Sequence, residues 1–457
     1  MYQDVFGQET TINSRNALEA WNKTLLAFMA HGATTPTHLG ETLTLDPNFA
    51  LGHAVKGMFY LLLGRRELGE TAREALGLAE AAVMTSPITA REQSFVKALK
   101  AFYEGGLTSA IQHLEDVLAV HPADTLAMKL SHAIRFVLGD GVGMRKSVEA
   151  VMGAYGPDHA GRGYLMGCHA FTLEETGEYA RAATVGRMGL TVSPDDAWGL
   201  HAIAHVFDMT CDAEGGLKWL EGREAAWSHC NNFRYHVWWH KALMHLDLGQ
   251  NDVVLALYDA EIRADKTDDY RDISNATSLL SRLEQNSVDV GDRWEELADL
   301  SANRTEDGCL IFADLHYLLA LIGGSRKQAI TKLMGRMHRD ARSNRLEMDR
   351  LMARPGLSAA AGLEAFGEAD FKTAFLNLSR ARQTMQNIGG SHAQRDVFER
   401  LTIDAGIRAG FLDEAETILK DRMRKRAGSE DGYAAARFSL ISQGRDASTC
   451  TASVPAE

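Results

Sequence analysis

The sequence has few residues of the kinds that build β-sheets, disulfide frameworks or membrane spans. Only 8 prolines occur in 457 residues, and valine-rich alternating runs are missing, so β-strands have little support. The five cysteines are odd in number and lack Cys-x-x-Cys spacing, which argues against disulfides and against a zinc ribbon. No eighteen apolar residues run together, which argues against a transmembrane helix. These absences favour an all-α chain that does not enter a membrane.

Basic residues are also in deficit. The chain has 48 Lys and Arg against 61 Asp and Glu, a formal net charge of −13. Nucleic acids and anionic membranes repel an acidic surface, so we expect neither as a partner. The opening stretch MYQDVFGQET lacks the basic and apolar regions of a secretory signal, which predicts a cytoplasmic location.

Glycines mark the ends of helices at regular intervals. They stand in turns such as "YLLLGRRELG", "AFYEGGLTSA" and "LEETGEYARA", where one amphipathic helix ends and another begins. Successive closing glycines at 64, 105, 139 and 177 lie 34 to 41 residues apart. This period is typical of tetratricopeptide-like helical hairpins, and it predicts a curved α-solenoid.

The predicted organisation is a single array. Residues 1–15 are expected to form an N-terminal arm, residues 16–442 the array of repeats, and residues 443–457 a disordered tail with little apolar mass. The repeat rhythm breaks around 262–300, which predicts an irregular insert there. Capping-box patterns at Thr89 with Glu92 and at Ser391 with Gln394 predict two helix starts.

Seven sequence blocks carry a resemblance to a known family. They are "LDPNFALGHAVKG", "HPADTLAMKLSHAIRFVLG", "DDAWGLHAIAHVFDM", "YHVWWHKALMHLDLG", "VGDRWEELA", "FADLHYLLA" and "GGSHAQRDVFER". In this order they are similar to blocks of the tetratricopeptide repeat protein 38 family, and together they span nearly the whole chain. The resemblance implies an α-helical repeat fold, but it does not imply a reaction.

Two histidine pairs share one spacing. His201 and His205 lie four residues apart, His236 and His240 repeat that spacing, and both members are shifted by 35 residues. First helices of successive repeats line the concave face of a solenoid, so the four imidazoles should meet on neighbouring helices. They are candidate ligands for a divalent transition metal. The glutamate of a His-Glu-x-x-His motif is missing, so that type of general base is not in place.

Other polar residues recur at a similar level of their repeats. His132, His169, His205, His240, Asp314 and His316 lie 7 to 10 residues before glycines that could close their units. The candidate catalytic residues are His201, His205, His236, His240 and Asp314. The candidate ligand-binding residues are His132, His169, Trp239, His316, Arg395 and Asp396. Three interpretations of the histidines stay open, namely metal binding, acid–base or ligand contacts without a metal, and structural packing.

The stretch "GGSHAQRDVFER" adds a second candidate region. Arg395 and Asp396 fall in the first turn of a helix, where a guanidinium and free N–H groups could hold a carboxylate or phosphate. A plain ion pair is the alternative. Trp239 follows another tryptophan, so the two must point to different faces and one could line the groove.

Two functions are compatible with these features. In the first, the groove closes into a pocket for a small polar or anionic molecule, with histidines acting as acid and base or as metal ligands in a hydrolase or lyase. In the second, the chain is a non-enzymatic scaffold for a peptide or protein, the common use of tetratricopeptide repeats. The levels where peptide-binding repeats present Lys and Asn have His and Asp here, which favours the pocket. A homodimer is compatible with a long solenoid.

Overall fold

The computed structural model describes residues 1–452, with side chains described through residue 446. The protein is an all-α, tetratricopeptide-like helical solenoid, which confirms the predicted fold class. A two-stranded hairpin precedes the helices, with β1 (Tyr2–Gln3) antiparallel to β2 (Glu9–Thr10). Among the described residues, each helix is too short or too polar to cross a bilayer.

The helices pair into antiparallel hairpins. The first helices of the hairpins are α1 (Arg15–Met29), α3 (Ala50–Leu62), α5 (Ala90–Tyr103), α7 (Thr125–Val137), α9 (Arg162–Glu175), α11 (Ala197–Met209), α14 (Phe233–Asp247), α16 (Tyr270–Gln285), α18 (Ile311–Gly323), α21 (Leu357–Gly367) and α23 (His392–Arg408). The second helices are α2 (Thr35–Leu45), α4 (Leu68–Thr85), α6 (Leu107–Val120), α8 (Gly141–Val151), α10 (Tyr179–Val192), α12 (Ala213–Leu220), α15 (Asn251–Leu257), α17 (Arg293–Ala302), α19 (Lys327–Ser343), α22 (Phe371–Arg382) and α24 (Leu412–Lys425). The remaining α-helices are α13 (Ala225–Ser228), α20 (Glu347–Leu351) and α25 (Gly432–Ala452). Short 3₁₀ turns occupy Met152–Ala154 and Met385–Ile388, and π-helical turns occupy Tyr258–Ile262 and Met352–Gly356.

First helices form an inner layer and second helices an outer one. Every residue of α9 from Gly163 to Glu174 is buried, and so is every residue of α18 from Ile311 to Leu321. A helix that is buried all round lies inside the molecule, whereas a surface helix buries only one stripe. In α19, by contrast, the buried residues are four of seventeen. Polar side chains on the inner helices therefore face other protein groups.

The array coils until one superhelical turn packs on the previous one. Hydrogen bonds join earlier hairpins of the array to segments 185 to 247 residues further along the chain. Gln386 Nε2 donates to the carbonyl of Gly139 over 2.9 Å, and the amide of Gly432 donates to Asp247 Oδ1 over 2.8 Å. Arg65 pairs with Asp268 in a further contact between successive superhelical turns. The concave groove is thus closed by the chain itself.

Gly139 tests this closure, because a side chain there would meet the next superhelical turn. Its φ is +67°, and an added Cβ would lie 1.8 Å from the carbonyl oxygen of Gln386. We expect Gly139→Ala to lower the free energy of unfolding by about 3 kcal/mol. Gly177→Ala is the matched control, since Gly177 has a φ of +84° and open space around it, and a loss of about 1 kcal/mol is expected. Equal losses in urea denaturation would contradict the close packing.

The region expected to be an irregular insert continues the array. Residues 262–300 contain the hairpin of α16 and α17, and Asp269 caps α16 by accepting from the amide of Arg271 over 2.9 Å. The sequence of α16 did not show the pattern of a repeat helix, because it contains many polar residues and most of them are buried. The arm of residues 1–15 contains the β-hairpin, and Thr10 and Thr11 bind the carboxylate of Glu92. The capping box of Thr89 with Glu92 is present.

The C-terminal tail departs from the expected disorder. Helix α25 continues through Ala452, so an unstructured segment does not begin at residue 443. Arg445 explains this order in part, since it pairs with Asp413 and Glu416 of α24. The last five residues of the predicted tail, 453–457, lie outside the described residues.

Candidate metal centre

Four histidines converge in the inner layer. Their Nε2 atoms follow one another at 2.8 Å from His205 to His201, 3.1 Å from His201 to His236, and 3.2 Å from His236 to His240. One nitrogen from each ring lies within 4.8 Å of the others, a spacing that could hold a metal ion. All four side chains are buried, and His236, the most exposed, has 9% of its surface accessible.

Two neighbouring first helices position these rings. His201 and His205 are one turn apart on α11, and His236 and His240 are one turn apart on α14. Side chains at i and i+4 share a helix face, so each helix aims two imidazoles toward its neighbour. Because both helices occupy the same position in successive hairpins, the two faces oppose each other.

Two further inner helices support the rings from behind. Asn275 on α16 lies with Oδ1 3.1 Å from Nδ1 of His236, and Glu174 on α9 lies with Oε2 3.6 Å from Nδ1 of His205. An amide oxygen accepts, so Nδ1 of His236 carries the hydrogen and its Nε2 presents a lone pair. Metal-binding histidines usually donate their second N–H to an oxygen in this manner.

The electrostatics keep the rings neutral. Burial lowers the pKa of His205 to about 4 and that of His236 to about 3. Burial also lowers the pKa of His201 and of His240 well below the ordinary value, and the neighbouring imidazoles add to the effect. Neutral imidazole is the form that binds a metal ion.

Glu174 is the acidic partner of this cluster. Its side chain is inaccessible, and neither oxygen has a hydrogen-bond partner among the described residues. Burial raises the pKa of Glu174 well above its ordinary value, and the charge of Glu175 adds to the rise. A buried carboxyl of this kind needs a nearby positive charge to ionise.

Aromatic rings surround the cluster and shield it from solvent. Trp239 stacks on His236 with ring centroids 5.3 Å apart, and Phe171 stacks on His201 at 5.9 Å. Trp198 lies 5.1 Å from His201 on the same side. Trp239, one of the predicted ligand-binding residues, therefore forms part of the wall. Water is excluded from such an environment, which strengthens electrostatic interactions inside it.

His132 and His169 do not join the four rings. His132 is buried and meets the edge of Trp198, with ring centroids 5.8 Å apart, so an indole separates it from His201. His169 points to the outer layer, where its Nε2 lies 3.2 Å from Oε1 of Glu149 on α8. Similar distances from the ends of repeats thus did not bring these side chains to the same place.

Asp314 and His316 are also placed elsewhere. The carboxylate of Asp314 is paired with Arg336 at 2.5 Å, so it neither ligates with nor orients the histidines. His316 has Nδ1 2.7 Å from the carbonyl of Phe312, and its ring packs against Phe398. Asp314 thus joins inner helix α18 to outer helix α19, and His316 packs α18 against the inner helix α23.

Arg395 and Asp396 line a separate cavity. Arg395 donates to the carbonyl of Gly389 and pairs with Glu175 at 3.3 Å. Asp396 accepts from Arg422 and Arg400. The capping box of Ser391 and Gln394 is present, as predicted.

Sequence reasoning overlooked Asn275 and Glu174. Asn275 follows His240 by the same 35 residues that separate His205 from His240, so the series had a third member. Glu174 gave no comparable signal. It lies in the last turn of α9, where an acidic residue is usually a solvated helix end.

Comparisons with known proteins bear on the fold. No protein-family model matches the chain. The human IFIT1 dimer with m7Gppp-AAAA aligns at 13% identity and a TM-score of 0.43 over 96% of both chains. The human IFIT1 dimer with PPP-AAAA aligns at 13% identity and a TM-score of 0.42 over 95% of this chain and 96% of that one. Naa15/Naa10 bound to HypK-THB aligns at 11% identity and a TM-score of 0.25 over 89% of this chain and 68% of that one.

The repeat fold rests on the helix pairs of the structure itself, and the finer resemblance to the tetratricopeptide repeat protein 38 family stays a prediction. The comparisons correct one expectation. Nucleic acid was excluded as a partner because of the net charge, and this exclusion does not stand, since the aligned IFIT1 dimers are bound to m7Gppp-AAAA and PPP-AAAA. The exclusion was wrong because local charge within a groove, and not the net charge of a chain, governs attraction to an anion.

Proposed function

We propose that this helical-repeat protein binds one divalent transition-metal ion, best zinc, through Nε2 of His201, His205, His236 and His240. The ion would join two consecutive repeats at the closed centre of the solenoid. One observation carries the proposal, namely that four buried, neutral imidazoles each bring one nitrogen within 4.8 Å of the others.

Hydrogen bonding alone does not account for this arrangement. The nitrogens form a series in which His201 lies between His205 and His236, and His236 lies between His201 and His240. A neutral Nε2 has either one hydrogen or one lone pair, so it serves one well-directed partner. Three contacts in series therefore cannot all be good hydrogen bonds. A central cation would attract all four lone pairs together.

The spacing agrees with tetrahedral coordination. Zinc–nitrogen bonds of 2.0–2.1 Å place the corners of a tetrahedron about 3.3 Å apart. The three successive Nε2 separations, 2.8, 3.1 and 3.2 Å, fall slightly below that value. Only a small outward movement of the rings would be needed.

The donor set selects the class of metal. Imidazole nitrogen suits zinc, copper, nickel and iron, whereas calcium and magnesium prefer oxygen. Glu174, 3.6 Å from His205, would supply one negative charge beside the ion. Asn275 would hold the tautomer of His236 that leaves Nε2 free.

The proposal does not include hydrolysis or elimination. Four protein ligands complete a tetrahedral zinc site, and catalytic zinc sites usually keep one position for water. Asp314, which the sequence suggested as a catalytic partner, is neutralised by Arg336. The ion would instead stabilise the packing of α11 on α14.

Metal analysis tests the proposal. Protein purified without a histidine tag is expected to contain about one zinc or other transition-metal ion per chain by mass spectrometry. The double variant His201→Asn, His236→Asn should contain nearly none, because two of the four ligands are lost. His316→Asn is the matched control, since His316 is an equally buried inner-layer histidine outside the cluster.

Cobalt(II) gives a second readout that does not depend on a variant. Metal-free protein titrated with cobalt should develop the strong visible absorption of a tetrahedral site and saturate near one equivalent. Metal content near zero, together with no such spectrum on titration, would refute the proposal. Equal metal content in the double variant and in wild type would place the ion elsewhere.

A further inference from the structure

A cavity of about 240 Å³ opens beside the histidine cluster. Helices α22, α23 and α24 form most of its walls, and Met209 at the end of α11 closes one side. The volume is below the 300–1,000 Å³ of sites for drug-sized molecules, so it suits a small metabolite.

Positive side chains dominate this cavity although the chain as a whole is acidic. The cationic residues that line it are Arg382, Arg395, Arg422, Lys425 and Arg426, and the acidic ones are Asp396 and Glu399. Each of the four arginines has a carboxylate partner, so their charges are balanced locally. The partners are Glu399 and Asp421 for Arg382, Glu175 for Arg395, Asp396 and Asp431 for Arg422, and Asp208 and Asp431 for Arg426. Lys425 is exposed and forms no ion pair with any described residue.

The arginines are held in place and keep unused donors. Arg395 is fixed by carbonyls of the Gly389–Gly390 turn and by Glu175, and it is 9% exposed. Arg426 donates to Asp208, and its buried Nε lies 3.4 Å from Oδ2 of Asp431 without a hydrogen bond to any described residue. A guanidinium has five N–H donors, so such pairs leave some of them for a ligand. Fixed guanidinium groups suit carboxylate and phosphate because both accept paired hydrogen bonds.

We infer that this cavity binds a small molecule through a phosphate or carboxylate group, held by Arg395, Arg426 and Lys425. Arg395 and Arg426 would contact the anion from the buried side, and Lys425 would attract it at the mouth. The inference goes beyond the metal proposal and does not require the ion.

The position of the cavity relates it to the candidate metal centre. Met209 follows His205 by one helical turn on the same face of α11. Glu175, the partner of Arg395, is adjacent in sequence to Glu174, which lies behind His205. An anion in the cavity would thus be separated from the histidine cluster by one layer of side chains.

Titration with inorganic phosphate and, separately, with acetate tests the inference on the full chain. Calorimetry at constant ionic strength, with chloride as the balancing anion, should show saturable binding of at least one of the two near one equivalent. Preference for phosphate would assign a phosphorylated ligand, and preference for acetate a carboxylic acid. Saturation by neither would overturn the inference.

Variants locate the site. Arg395→Gln should weaken binding by roughly tenfold, the loss of one charge-assisted contact. Lys425→Gln, a change at an exposed residue that should not affect folding, should weaken it by about threefold. Lys420→Gln on the same helix is the matched control, because Lys420 pairs with Glu416 outside the cavity. Equal weakening by Lys420→Gln and Lys425→Gln would indicate only general charge attraction and overturn the assignment. Binding should persist in the double variant His201→Asn, His236→Asn, so failure of the metal proposal would leave this result intact.

Discussion

Removal of the proposed metal ion is expected to lower the free energy of unfolding by about 4 kcal/mol. An ion that binds only the folded chain stabilises it by RT ln(1 + [M]/Kd), which is about 4.1 kcal/mol when free metal is 1,000 times Kd. A large effect is expected because Nε2 of His201 lies 2.8 Å from Nε2 of His205 and 3.1 Å from Nε2 of His236, and one neutral nitrogen cannot make good hydrogen bonds to both. Without an ion, at least one of these close contacts would stay unfavourable.

Urea denaturation of zinc-loaded and chelator-treated protein measures this difference. The free-zinc concentration should be buffered, since the stabilisation depends on it. The double variant His201→Asn, His236→Asn should unfold at one urea concentration with or without zinc. His316→Asn should keep the full difference. If zinc stabilised the double variant as much as wild type, the four-histidine site would not be the source of the effect.

The histidine cluster was predictable because its signal was a spacing. Pairs at i and i+4 repeated by 35 residues must lie on matching faces of neighbouring first helices, whatever the remaining sequence does. The distance from a closing glycine was a weaker guide. In the unit of α11 the turn closes at Cys211, with a φ of +57°, and Gly215 lies inside the next helix. The distance of 10 residues for His205 was measured to Gly215, which does not close that unit.

The remaining errors share another cause, the burial of polar side chains by distant partners. Asp314 pairs with Arg336 on the next helix, and α16 buries Asp272, Asn275 and Arg282 inside the solenoid. Sequence reasoning predicts that a polar residue is exposed unless the partner that would offset its desolvation is known. That partner depends on how far the array coils, and single repeats do not encode the coiling.

The acidic composition misled for a related reason. The cations of the C-terminal repeats are gathered inside, around the cavity of Arg395 and Arg426, and a net charge of −13 does not report on them. Local potential in a concave site can have the opposite sign to that of the whole chain. A small-anion site in this cavity is therefore compatible with the acidic composition of the whole chain.

Asp396 is expected to be among the most sensitive positions outside the histidine cluster. Its buried carboxylate accepts from Arg422 Nε over 2.6 Å and from Arg400 Nε over 2.7 Å. Burial alone would raise the pKa of Asp396, but Arg422 and Arg400 hold it well below its ordinary value. Asp396→Asn should destabilise the protein by about 2 kcal/mol at pH 7, because Arg400 loses its close carboxylate partner and Arg422 keeps only Asp431.

The pH dependence distinguishes lost charge pairing from lost packing. A carboxylate with a depressed pKa stabilises the fold above the pKa it has in the unfolded chain, about 4, and loses that contribution as pH falls toward the folded-state value. The stability difference between wild type and Asp396→Asn should therefore be full at pH 7 and shrink below pH about 4. Urea denaturation across this range measures it. Asp413→Asn is the control, since Asp413 is 87% exposed in its pair with Arg445, and no measurable change is expected. A difference that stayed constant with pH would show that Asp396 acts through shape and hydrogen bonding rather than through its charge.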